Sequence, residues 1–194
     1  MAKKTIMDEV YGKITFMDDG YCWKLSQKIE MTIGGKTQEV KMEIQSVSSA
    51  YDKIQLGLIP EGVAKLILQS NTIKEEEILK RKDIQRNLFK NLLIDNIEML
   101  EKNIEAAAVQ DLAEVLEDYD EQNLPKHIAK AKALKLLSAK TVEEKLESLQ
   151  LTKICVFEDR IEIKCKCDWY DCGGGFIIID NGECMMRPID CLSI

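Results

Sequence analysis

Two blocks of strictly alternating apolar and polar residues, within 10–47 and 151–194, flank a stretch from Val63 to Leu124 that contains neither glycine nor proline. Period-2 alternation is the signature of a strand with one wet face, and a long stretch free of helix breakers reads as helix. The order strands, helices, strands predicts an α+β fold in one domain over 1–194. Strands occupy 10–47, helices 60–148 and strands again 151–194. The terminal strands are expected to join in one antiparallel sheet whose apolar face the helices cover.

In the first block Trp23, Leu25, Ile29, Met31 and Ile33 share one parity, broken only by Gln27, and Val40, Met42 and Ile44 alternate with Glu39, Lys41 and Glu43. Gly34-Gly35 between the runs tolerates the positive φ of a type I′ turn, so 21–47 reads as a hairpin. Tyr11 to Met17 adds a third strand before an Asp18-Asp19-Gly20 turn. In the middle, Thr72 with Glu75 forms a capping box, and Phe89, Leu93, Ile97, Leu100 and Ile104 recur at helical spacing. After Pro125 a lysine-rich helix runs to about Leu137, and Thr141 with Glu144 caps a short last one. In the second block Ile154, Ile161, Ile163 and Phe176 to Ile179 are β-branched or aromatic, with turns at Glu158-Asp159 and Asn181-Gly182.

At 194 residues, 45% hydrophobic, the chain can bury roughly 70% of its unfolded surface. No apolar run is long enough for a signal h-region or a membrane span, so a cytoplasmic protein with no membrane partner is expected. The net charge of −7 disfavours nucleic acid, which demands a basic surface, and suits a basic protein partner. Seven cysteines are an odd count that gives no complete disulfide framework.

Cys165, Cys167, Cys172, Cys184 and Cys191 are numerous enough to raise a zinc site, but the spacing argues against one. Cys165 and Cys167 continue the row of Ile161 and Ile163, opposite Glu162, Lys164, Lys166 and Asp168, and so read as buried thiols on an apolar strand face. His127, the only histidine, falls in the expected first turn of the lysine-rich helix and reads as a surface residue. Gly173-Gly174-Gly175 precedes a strand rather than a helix N-terminus, and reads as a bend or bulge. P-loop, nucleophile-elbow, zinc-protease and dinucleotide motifs are all missing. The residues call for no enzyme, cofactor or metal.

The strongest candidate for a binding surface is acidic. Leu112, Val115, Leu116 and Tyr119 would face the core, leaving Asp111, Glu114, Asp118 and Glu121, with Glu117 beside them, on the opposite face of one helix. No lysine or arginine interrupts this run.

Residues from about Ala139 to Ile194 carry a further pattern: Leu149-Gln-Leu-Thr-Lys-Ile-Cys-Val, a polar turn, Ile161-Glu-Ile-Lys-Cys-Lys-Cys-Asp-Trp169, glycines, a strand, Asp180-Asn-Gly182 and a closing Ile189-Asp190. This pattern resembles the C-terminal half of an uncharacterised bacterial domain family found among immunity proteins of polymorphic toxin systems. Where that family follows the tryptophan with an acidic residue and a histidine, this chain has Tyr170-Asp171-Cys172. The resemblance implies an α+β domain without known catalysis that neutralises a toxin by direct binding. With the acidic charge it gives the expected function, a cytosolic immunity protein for a basic toxin domain. A thiol- or zinc-binding structural protein and a phage-derived interaction module are the alternatives.

Overall fold

The first four strands, β1 (Thr5–Asp8), β2 (Gly12–Phe16), β3 (Cys22–Ile33) and β4 (Lys36–Gln45), form an antiparallel meander in the computed structural model, which describes residues 4–16, 22–70 and 73–189. The Asp18-Asp19-Gly20 turn, Thr72, Asp190 and Cys191 lie outside the described residues. Six helices follow: α1 (Ser49–Gln55), α2 (Glu61–Ser70), α3 (Glu75–Phe89), α4 (Ile97–Leu116), α5 (Lys130–Ser138) and α6 (Val142–Lys145). A π-helical segment, Lys90–Asp95, joins α3 to α4. The chain closes with β5 (Gln150–Val156), β6 (Ile161–Lys166), β7 (Gly174–Asp180) and β8 (Glu183–Pro188), again antiparallel.

The two meanders share one eight-stranded sheet in sequence order, so the α+β class holds. Their junction corrects the sequence expectation: β4 and β5 pair in parallel, from Lys41 opposite Lys153 to Ile44 opposite Val156. Alternation fixes which face a residue takes but is blind to strand direction. Direction follows from the helical excursion, which returns the chain to the end of the sheet where β4 began, as a parallel pair requires.

Paired residues point to the same face, and two apolar rows cross the sheet through the junction. One runs Trp23, Ile44, Val156, Ile161, Ile179, Cys184; the other runs Met42, Ile154, Ile163, Ile177, Met186. Phe89, Leu93, Leu100, Ile104, Ala108 and Leu112 of the helical region are buried in the same core. The other face is a charge ladder: Glu43 receives both Lys24 and Lys153, and Arg160 pairs with Glu162. β3 carries two extra residues against β4 between Lys24 and Lys28, and an insertion of two preserves parity, so Trp23 stays on the core face with Met31 and Ile33.

Both hairpin turns form as expected, with positive φ at Gly34, Gly35, Asn181 and Gly182. The Thr141–Glu144 capping box forms with both reciprocal hydrogen bonds. At α3, Lys74 occupies the N-cap with no side-chain bond, so Glu75 opens the helix instead of closing a box, and its carboxylate accepts from the Tyr51 hydroxyl at 2.8 Å. Of the three glycines expected to form a bend or bulge, Gly173 makes the bend, with φ +68°, while Gly174 and Gly175 lie in register within β7, opposite Lys166 and Cys165, with no bulge.

Candidate functional site

The acidic stretch is not one helical face. α4 ends at Leu116 with Glu117 as its C-cap, and Asp118 and Glu121 lie in the turns beyond it. The chain leaves the helix through tighter turns, the Glu117 N–H donating to the Glu114 carbonyl at 3.4 Å and the Tyr119 N–H to the Leu116 carbonyl at 3.0 Å, and Asp120 Oδ1 then accepts from the Gln122 and Asn123 N–H groups, both at 2.7 Å. Glu114, Glu117, Asp118 and Glu121 are exposed. Glu114 is joined only by Gln110, whose Nε2 donates to it at 2.9 Å.

Asp111 departs from the expectation altogether. Its side chain turns inward, accepting from Trp169 Nε1 at 2.8 Å and from the Tyr170 hydroxyl at 2.6 Å. The cause is the tryptophan itself: a fully buried indole N–H needs an acceptor, and α4 supplies one turn-adjacent to Leu112. Burial, and then the hydrogen bond to Asp111, push the Tyr170 phenol well above its ordinary range. Asp111 is a structural acceptor, and the exposed acids are those from Glu114 onward.

His127 lies at the surface as expected, but before α5 rather than in its first turn: Nε2 lies 3.1 Å from the Trp169 carbonyl oxygen and Nδ1 2.8 Å from the Asp171 carboxylate. It ties the segment after Pro125 to the loop that carries Trp169. Cys172, exposed in the same notch, donates its thiol to the Gly174 carbonyl at 3.1 Å rather than to the imidazole.

Cys165 and Cys167 sit in the core on the isoleucine row. Burial pushes the Cys165 thiol up to about 12 and Cys167 further, while Cys184 is pushed up to about 11. Burial favours the neutral thiol at each of these three positions. Among the described residues no cluster of three or more His, Cys, Asp or Glu side chains has metal-ligand geometry. No described helix is long and apolar enough to cross a membrane.

A cavity of about 290 Å³, apolar-walled with a few polar groups, lies between the N-terminal meander, α1 and α3, where sequence reasoning placed no site. Asp52, in the first turn of α1 and only 1% exposed, is its centre. Its carboxylate accepts from Trp23 Nε1 at 3.2 Å and from the Ser46 hydroxyl, and pairs with Lys82. One turn along α3, Arg86 pairs with Asp8 at 2.7 Å. Burial alone would raise the Asp8 pKa, but Arg86 and the N–H groups of Tyr11 and Val10 outweigh it and hold the carboxyl below its usual range. Gln85, 3% exposed, donates Nε2 to the carbonyls of Gln45 and Val156 at 2.7 and 2.9 Å, closing the ends of the parallel strands. Ile6, Ile14, Ile44, Val47 and Leu56 supply apolar wall. The Tyr11 hydroxyl is buried without a hydrogen-bond partner among the described residues, and burial raises its pKa strongly.

One signal could have found this site. Ile78, Lys82, Gln85 and Phe89 fall at i, i+4, i+7 and i+11, so two polar residues interrupt what is otherwise the buried stripe of α3.

A second surface feature concerns α2. Only Ala64 of its ten residues is buried, while Val63, Leu66 and Leu68 are exposed, Leu66 by 66%. No family model, no curated protein and no solved structure matches the chain.

Proposed function

We propose that this chain is a protein-binding domain of the immunity type, which neutralises a basic toxin domain by covering it. The observation that carries this reading is the uncovered apolar row of α2, Val63 and Leu66 with Leu68, on a chain of net charge −7. An apolar row left exposed among the described residues is the usual mark of a protein contact, and truncating or charging such a residue removes the buried anchor of an interface. The net negative charge of the chain favours a basic partner, because complementary potential speeds encounter and excludes wrong partners.

Co-expression with a toxin-like product of a neighbouring reading frame tests the proposal. Wild type is expected to restore growth and to co-purify with the toxin domain, and Leu66→Lys to do neither while melting like wild type. Failure of the wild-type chain to protect against any adjacent product, or full protection by Leu66→Lys, would overturn it.

A further inference from the structure

The cavity beside Asp52 is unrelated to the protein-binding reading, and its chemistry specifies an occupant. Both carboxylates are committed. Asp52 takes three donors across its two oxygens, and Asp8 accepts from the Val10 and Tyr11 N–H groups on one oxygen and from Arg86 on the other. The lining also holds donor capacity: the spare N–H bonds of Lys82 and Arg86, and the Tyr11 hydroxyl. The lining holds two cations, Lys82 and Arg86, and two carboxylates, Asp8 and Asp52, and Arg86 also pairs at 3.6 Å with Asp83 outside it, so the pocket carries no net charge to repay the desolvation of an entering ion.

Tyr11 is the decisive residue. It is 6% exposed, held edge-on against Phe89 at 5.0 Å between ring centroids, and lines the cavity, yet its hydroxyl has no partner among the described residues. A buried unsatisfied hydroxyl costs stability, whereas phenylalanine would pack the same space without that cost. A cavity near 300 Å³ with a few convergent polar groups on apolar walls is the ordinary form of a small-ligand site, at the small end of its range of ~300–1,000 Å³.

We propose that this cavity binds a small neutral molecule with an apolar body and one hydrogen-bond acceptor, the acceptor meeting the Tyr11 hydroxyl. The ligand's body lies against the wall of Ile14, Ile44 and Leu56, close to Trp23. Since Trp23 Nε1 donates to Asp52 at the cavity wall, its indole N–H signal reports occupancy.

The experiment titrates the full-length, nitrogen-labelled chain with acetophenone, and separately with benzoate, which has similar size but carries charge. Acetophenone is expected to shift the Trp23 indole signal, assigned through Trp23→Phe, and to leave that of Trp169 in place. Benzoate is expected to bind more weakly. Tyr11→Phe, which keeps the ring, should melt no lower than wild type and bind acetophenone about five-fold more weakly, the worth of one neutral hydrogen bond. If Tyr11→Phe does not fold, Val47→Phe decides, because it narrows the cavity from a half-buried loop position and should abolish the Trp23 shift. An unmoved Trp23 signal at the solubility limit overturns the proposal. So does equal binding by folded Tyr11→Phe, a shift that survives in Val47→Phe, or tighter binding of benzoate.

Discussion

At the scale of single residues, Trp169 shows how far one side chain organises its neighbours. Its ring is 1% exposed, its N–H engages Asp111 of α4, and its carbonyl faces His127, so strand loop, helix and linker meet on one residue. Trp169→Ala is expected to destabilise by about 3 to 5 kcal/mol, the cost of a large core truncation, measured by urea unfolding. An unchanged unfolding midpoint would contradict the anchoring role. That the tryptophan is buried was legible in the sequence, because it follows directly on the apolar row of Ile161 to Cys167. Its partner was not. Asp111 lies 58 residues away, and on helical spacing alone it belongs with Glu114 among the solvated acids. Spacing assigns a residue to a face but does not say which other element packs there with an unsatisfied N–H. His127 is at the surface, as its sequence position suggests, but its contacts with the Trp169 carbonyl and the Asp171 carboxylate come from a loop far along the chain and leave no mark in local spacing.

At the scale of elements, the parallel pairing of β4 with β5 is short, and side-chain amides extend it at both ends. Gln38 donates Nε2 to the Leu149 carbonyl at 3.3 Å and accepts from the Leu151 N–H at 2.7 Å, while Gln85 serves the carbonyls of Gln45 and Val156 at the other end. Each amide supplies one donor and one acceptor group in a plane, which is what a broken ladder lacks. The strands themselves were legible from alternation, and their turns from Gly-Gly and Asn-Gly. Two kinds of glycine in the last meander separate by experiment. At Gly182 a Cβ would meet nothing within 4 Å, but φ is +85°, so Gly182→Val should cost about 1 to 2 kcal/mol through backbone strain alone. At Gly175 a Cβ would lie 2.6 Å from the Arg187 carbonyl oxygen and 2.7 Å from the Tyr170 ring, so Gly175→Ala should destabilise more than Gly182→Val despite the smaller side chain. Thermal unfolding of the two variants checks the order, and the reverse order would mean that the loop rather than the strand contact is the tighter constraint.

At the scale of the whole molecule, the proposed function rests on surface and charge. The block order of strands, helices and strands made the class readable, because a sheet formed from both ends of a chain needs the helices between them to cross its face. The acidic balance was readable too, but not which acids reach solvent, since that depends on where α4 stops and which way Asp111 turns. Glu114, Glu117, Asp118 and Glu121 are the exposed remainder, spread over the end of α4 and the turns that follow. Reversing Glu114 and Asp118 to Lys changes the field that an approaching basic partner meets. Steering acts on encounter and is screened over about 8 to 10 Å at ordinary ionic strength, so the association rate should fall and its dependence on salt should flatten, with little change in dissociation. Folding should move by no more than about 0.5 kcal/mol, because neither carboxylate is buried and Asp118 contributes only its backbone carbonyl to the turn, accepting from Asn123 Nδ2 at 3.1 Å. Paired kinetic runs at low and high salt against the toxin domain identified by co-expression make the measurement. Wild-type association rates from the double variant at both salts would assign these acids to solvation alone and leave the apolar row of α2 to carry recognition.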